Sequence, residues 1–374
     1  MKIQGSLISY FSNLVKTKGG INLAQGIPAF QPPIELTKKL IKIASENYNQ
    51  YAPGTGNQLL RQYLDSYYKI LNNENEFLIT NGATEAISLT YNYLTEFLLT
   101  SKEIRAASFT PAYESYIHLP KIFKHKYYSY TINDDIYFDE NEFISFAKRN
   151  SINIFFVASP GNPYGKIIPK EKMQKLISLS QEIGFYMIID AVYKDLYFTR
   201  SAYYPIDNLP ENIFYVNSFS KKLSITGWRL GYVIMNKKHF EKFSYLHDYI
   251  GLCAPSVLQQ AVAEFLIENN PENYLENIRK KIYSNYLHAS KFLEKSGFYV
   301  PNIDGGYFIW CKLPENIENS LDFGIKLYEN YHTAIIPGQH FGQEWNNYIR
   351  INLAHEESEL TRGIEYICKL AQNL

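Results

Sequence analysis

Four short apolar runs, at residues 106–109, 152–157, 186–189 and 213–216, recur through the middle of the chain, each closed by Gly, Pro, Asn or Ser and parted from the next by a longer amphipathic stretch. Runs of this kind keep no polar side for water, so they read as strands buried on both faces, with the intervening stretches as crossover helices. The pattern restricts the chain to an α/β fold built on a parallel sheet. From residue 271 to 293 it changes to a long charged helix, with Tyr274, Ile278, Ile282, Tyr286 and His288 set among Glu, Lys and Arg. Shorter strand-like pieces follow at 306–310 and 348–353, then an amphipathic helix. We therefore expect a large α/β domain at 35–275 and a small α+β domain made of 1–34 and 276–374. No repeat, low-complexity tract or long linker parts them, so they should pack closely, and a cleft between domains suits a small molecule.

Composition narrows the partners. The 37 basic and 37 acidic residues cancel, leaving no positive field for nucleic acid or an anionic membrane. Cys253, Cys311 and Cys368 are odd in number and lack CxxC spacing, so neither a disulfide framework nor a zinc site is indicated, and a reducing cytoplasm fits. The start is broken by polar residues, unlike a secretory signal, and no segment approaches the roughly twenty apolar residues that cross a bilayer. Eight histidines lack metal-binding spacing. The 33 tyrosines and 23 phenylalanines carry no function of their own.

Several strand ends carry chemistry. The run ending at Val216 leads into Ser218-Phe219-Ser220-Lys221-Lys222, with Arg229 eight residues after Lys221. A lysine emerging inside the protein can lose its proton and form a Schiff base, whereas a Lys-Lys pair in a turn is otherwise a solvated surface feature. Asp190 closes another apolar strand, where a carboxylate is costly without a cation; a strand-end helix cap is the alternative. Residues 80–86 turn from a strand into a helix whose apolar face recurs at Ile87, Tyr91, Leu94 and Leu98. Its first amides suit a dianion, and a capping box is compatible with that use. Asn162 lies in a Gly-Asn-Pro turn, ordinary in itself. Arg350 lies mid-strand, where a guanidinium suits a carboxylate held by two hydrogen bonds, unless it snorkels from an edge.

These segments, in this order, resemble the class I/II aminotransferases, which carry Ser-x-Ser-Lys followed by Gly-x-Arg-x-Gly-Tyr, an Asp-x-x-Tyr, and an Asn-Pro-x-Asn-Pro-x-Gly turn of which this chain keeps the second Asn-Pro and the Gly. The resemblance implies the fold-type-I architecture of pyridoxal-phosphate enzymes, with a mostly parallel seven-stranded sheet and a small α+β domain. It implies that Lys221 is the Schiff-base lysine, with Lys222 its exposed neighbour, that Asp190 meets the pyridine nitrogen, and that Tyr193 and Asn162 donate to the 3′ oxygen. Gly82, Ala83 and Thr84 on one side, and Ser218, Ser220 and Arg229 on the other, would hold the phosphate. Tyr113, after a strand and Pro111, would stack on the ring, although in a chain so rich in tyrosine a single one is usually filler. Arg350, with Gly26 and Asn162, would frame the substrate carboxylate. Tyr51 would reach the phosphate of the other subunit, so a homodimer with shared active sites is expected. His340 lies in a loop that borders the substrate pocket in that family.

Within the family, Gln25-Gly26-Ile27-Pro28, Asn49-Gln50-Tyr51-Ala52-Pro53 and Gly305-Gly306-Tyr307-Phe308 are most similar to the kynurenine/glutamine and methionine transaminases. Acid-specific relatives of one branch place a lysine where this chain has Thr84. The expectation is ping-pong transfer from a neutral or aromatic L-amino acid (methionine, phenylalanine, tyrosine, glutamine or kynurenine) to a 2-oxo acid. A C–S β-lyase and a catalytically silent pyridoxal-binding regulator are the alternatives.

Overall fold

The computed structural model describes residues 5–46, 48–69, 74–132 and 138–374; the opening Met1 to Gln4 lies outside them. Strand β1 (Ile21–Asn22) belongs to the periphery. The next seven, β2 (Asn75–Thr80), β3 (Arg105–Thr110), β4 (Lys126–Thr131), β5 (Ile154–Ala158), β6 (Tyr186–Asp190), β7 (Ile213–Ser218) and β8 (Gly231–Asn236), form one sheet in the order β2-β8-β7-β6-β5-β3-β4. Only β8 runs antiparallel to its neighbours β2 and β7. The others point the same way, with β5, β6 and β7 in consecutive parallel register. All residues of β5 and β7 are buried, as continuous apolar strands covered by helices on both faces require.

The remaining strands are short. β9 (Phe308–Lys312), β11 (Ile336–Pro337) and β12 (Tyr348–Asn352) form an antiparallel sheet in the order β11-β12-β9, while β10 (Thr333–Ala334) pairs with β1. The 24-residue helix Glu272–Lys295 and the C-terminal helix Glu357–Gln372 pack together beside them. Leu275, Ile282, Phe308, Ile351, Ile364 and Ile367 share one core there, to which Ile21 and Leu23 contribute. Residues 21–23 and the C-terminal segment thus share one core. No described helix is long and apolar enough to cross a membrane.

The sheet sets the site. In a mostly parallel α/β sheet, ligands gather beyond the carboxyl ends of the strands. The segments after β2, β3, β5, β6 and β7 all send residues to one cavity of about 410 Å³, closed from the other side by residues 25–27, Phe308 and Arg350.

Candidate active site

Lys221 lies in the one-turn helix Phe219–Lys222 that follows β7. Ser218 caps that turn: its Oγ accepts from the Ser220 amide at 3.0 Å and donates to the Leu230 carbonyl at 2.8 Å. Lys221 Nζ donates to the Gly26 carbonyl at 2.6 Å, and Tyr307 OH donates to the same oxygen at 2.9 Å. Burial first, then the nearby Arg350 and Arg229, pulls the Lys221 amine down to about 7, with Asp190 acting the other way. Lys222 differs from expectation. It is buried, not exposed, because its ammonium lies 3.6 Å from the carboxylate of Asp195 and against the rings of Tyr67 and Phe219.

Asp190, the last residue of β6, is buried. Its Oδ1 accepts the Val192 amide at 3.0 Å and its Oδ2 the Tyr116 hydroxyl at 2.5 Å. Burial nevertheless holds its pKa above the usual carboxylate range, with those two bonds and Lys221 working against it. Tyr193 packs edge-on to Tyr307 and Phe308, and its hydroxyl lies near Gly26. Tyr113 precedes the helix Glu114–Ile122 and lines the same cavity.

The helix Ala83–Tyr93 starts at Gly82, whose φ of 83° suits glycine. Glu85 reaches back to accept the amide of Asn81, the residue before the cap position, at 2.5 Å, so the expected capping box does not form. Ala83 and Thr84, in the first turn, open onto the cavity. Arg229 covers this turn, with Nη1 donating to the Thr226 carbonyl at 3.0 Å and Nη2 to the Asn81 carbonyl at 3.4 Å. Gly231 permits the approach: a Cβ there would stand 2.6 Å from Gly82 C and 2.7 Å from Ala83 N. Of the two serines, Ser220 keeps its hydroxyl buried without a hydrogen-bond partner among the described residues.

Arg350, in β12, is 1% exposed. Its Nη1 donates to Asn162 Oδ1 at 3.0 Å and its Nη2 to the Ala24 carbonyl at 2.5 Å, while Nε has no partner among the described residues. Phe308 and Phe341 flank the guanidinium at 4.1 and 5.1 Å. Burial brings it down to about 10, with Tyr193, Tyr307, Glu114 and Tyr113 holding it up.

The structure therefore gathers Gly26, Ala83, Thr84, Tyr113, Asn162, Asp190, Tyr193, Ser218, Ser220, Lys221, Arg229 and Arg350 around one cavity, with Gly82 directly beneath Arg229. Tyr51 is elsewhere, 83% exposed at the surface. His340 lines an adjoining cavity instead. Tyr116 and Glu114 were not singled out by sequence; Tyr116 follows Tyr113 by one helical turn, the spacing that brings both to one face.

The comparisons decide the family. The family model of aminotransferase class I and II matches residues 18–367. This chain belongs to that family. Its members depend on pyridoxal phosphate, and this protein is a transaminase. Aspartate aminotransferase of Pyrococcus horikoshii is 26% identical, with 96% of this chain and 92% of that protein aligned. A probable N-acetyl-LL-diaminopimelate aminotransferase of Bacillus subtilis is 25% identical over 97% and 92%. Among solved structures, the N-succinyldiaminopimelate aminotransferase of Mycobacterium tuberculosis superposes with a TM-score of 0.88 at 21% identity, covering 98% of this chain and 97% of that one. An Escherichia coli protein with an identified methionine aminotransferase function gives 0.86 at 22%, covering 98% and 97%. The fold-type-I architecture is thereby established.

The residues present fit the cofactor. The partnerless Ser220 hydroxyl and the first-turn amides suit its phosphate, the buried Asp190 carboxylate suits a protonated ring nitrogen, and Lys221 is an amine near neutrality.

Proposed function

We propose that this transaminase takes its amino group from a neutral or aromatic L-amino acid of the methionine, phenylalanine, tyrosine, glutamine and kynurenine class and passes it to a 2-oxo acid in two half-reactions. The observation that carries the reading is the pairing of Lys221 and Arg350. Both are held by carbonyls of one short loop, Lys221 by Gly26 and Arg350 by Ala24. A donor whose carboxylate meets Arg350 thus presents its Cα to Lys221.

Bound in this cavity, pyridoxal phosphate supplies an electrophilic carbon and an electron-withdrawing ring. The chain's own residues do the rest. Ala83, Thr84, Ser220 and Arg229 would anchor the phosphate, Tyr113 would support one ring face, and Asp190 would keep the ring nitrogen protonated. Tyr193 and Asn162 would donate to the 3′ oxygen. Lys221 Nζ, partly uncharged near neutral pH, takes the proton from Cα. Arg350 fixes the carboxylate with its two terminal nitrogens, and Phe308 and Phe341 keep water from the guanidinium faces.

Ile8, Ile27, Ile87 and Phe308 give the cavity an apolar wall, which supports neutral and aromatic donors, as does Thr84 in place of a lysine. A homodimer is part of the proposal. Tyr51, Tyr249 and Ile250 are 83%, 79% and 57% exposed, and Ser256 bonds to the Gln50 carbonyl beside them. Exposed aromatic and aliphatic side chains of this kind support an interface, and a two-fold partner would carry Tyr51 to the neighbouring site. Three free cysteines support a reducing, cytoplasmic setting.

The test is an absorbance scan of the cofactor-loaded protein with single amino acids and no oxo acid. Conversion to the pyridoxamine form by methionine, phenylalanine or glutamine is expected. Release of ammonia and pyruvate from a β-thio amino acid, or an unchanged spectrum, would overturn the reading.

A further inference from the structure

A second cavity of about 900 Å³ adjoins the first, and Thr84, Ile87 and Glu114 line both. These three residues form the boundary between the cavity lined by Lys221 and Arg350 and the space beyond. Ile87 is apolar and Thr84 is uncharged, so Glu114 is the charged group on that boundary. It opens the helix Glu114–Ile122, directly after Tyr113.

Its carboxylate is held in place. Ser6 Oγ donates to Oε2 at 2.7 Å, and His340 Nε2 lies 3.1 Å from the same oxygen. Among the described residues no donor meets Oε1, which leaves that oxygen as an acceptor. Burial alone would raise the acid's pKa, but His340, Ser6 and the nearby His118 more than offset it, and the group is kept below the usual carboxylate range. Glu114 also contributes to holding up the Arg350 guanidinium, so the two sit within electrostatic reach. A molecule with one end on Arg350 and a side chain directed at the boundary meets an anion.

We propose that Glu114 is a specificity-determining residue, which admits side chains ending in a hydrogen-bond donor, such as a carboxamide, and rejects side chains ending in a carboxylate. This rests on the transaminase reading above and ranks, among its neutral donors, those with a hydrogen-bond donor at the far end first. An amide N–H gains the free oxygen of Glu114, whereas a second carboxylate meets like charge in a part-buried place where the repulsion is poorly screened.

The test needs no turnover. Calorimetry of the cofactor-loaded protein compares glutarate with its monoamide, two ligands alike in shape that differ in the charge at one end. Wild type is expected to bind the monoamide at least tenfold tighter, and Glu114→Gln to shrink that ratio by at least tenfold. A variant that weakens both ligands equally, leaving the ratio unchanged, assigns Glu114 a structural role only and overturns the proposal. Failure of wild type to bind either ligand at millimolar concentration overturns it too. Failure of the transaminase reading shows separately: no amino acid would convert the loaded protein even though the ratio shifts.

Discussion

Lys221 and Lys222 leave one helical turn toward different partners: the first donates to the Gly26 carbonyl at 2.6 Å, and the second lies 3.6 Å from Asp195 Oδ2. The carbonyl leaves Lys221 free to lose its proton; the carboxylate ties Lys222 into a cluster that includes Lys194 and Tyr67. Borohydride reduction of the cofactor-loaded protein, followed by peptide mass analysis, should find the cofactor on Lys221 in wild type and in Lys222→Ala alike. Lys222→Ala should instead lose about 3 kcal/mol of stability, the low end for breaking a buried pair because Lys194 still faces Asp195. Cofactor on Lys222, or an unchanged melting temperature, would contradict this division.

The acidity of Lys221 gives a pH prediction. In the cofactor-free protein its modification by an amine-directed reagent should rise with a midpoint near pH 7, where burial and the Arg350 and Arg229 charges have brought it. Arg350→Met removes one cation and should move that midpoint upward. Stability follows the same linkage. The folded pKa lies below the unfolded one of about 10.4, so between those values only the unfolded chain carries the proton. The resulting penalty is full below about pH 7 and is relieved as pH climbs toward 10. A modification midpoint above 9 would refute the assignment.

The sheet and most of the site were legible because both rest on local signals. A doubly buried strand must be continuously apolar, and a residue at its carboxyl end falls in the cleft, which is how Asp190, Asn162 and Lys221 announce themselves. Lys222 could not be read that way. Its partner Asp195 lies 27 residues earlier in another loop, and only the folded chain brings them together. The same holds for Glu114, whose contacts Ser6 and His340 come from opposite ends of the chain. Tyr51 shows the limit of one chain: it stands exposed, away from its own cavity.

Two glycines should respond differently to alanine. At Gly82 the new Cβ would stand 2.5 Å from Arg229 Nη2, and an exposed guanidinium can swing aside. The fold should survive with roughly 1–3 kcal/mol of strain from the left-handed backbone, but displacement of Arg229 should weaken cofactor affinity by about tenfold, readable by titration of the cofactor-free protein. At Gly231 the Cβ would meet the backbone of Gly82 and Ala83, which cannot yield without moving the helix start. Gly231→Ala should therefore lower the melting temperature further than Gly82→Ala; the opposite order would mean that the close approach of these segments is not structural.

Tyr116 provides a test of how Asp190 is tuned. Its hydroxyl is the side-chain donor to the buried carboxylate, at 2.5 Å, and the backbone amide of Val192 supplies the other bond. Burial already pushes Asp190 upward, and these bonds oppose it, so Tyr116→Phe should raise the carboxyl further and make it a weaker partner for a protonated ring nitrogen. A hydrogen bond to a charged group is worth about 1.5–3 kcal/mol, which sets the expected fall in kcat at roughly 10- to 100-fold. The acid limb of the pH profile should move to higher pH, because more of the carboxyl is protonated at any given pH. Asp190→Asn, which removes the charge itself, should fall further and lose that limb. If Tyr116→Phe lowers kcat while the acid limb stays in place, Tyr116 supports the ring stack with Phe156, seen at 5.1 Å, and not the charge of Asp190.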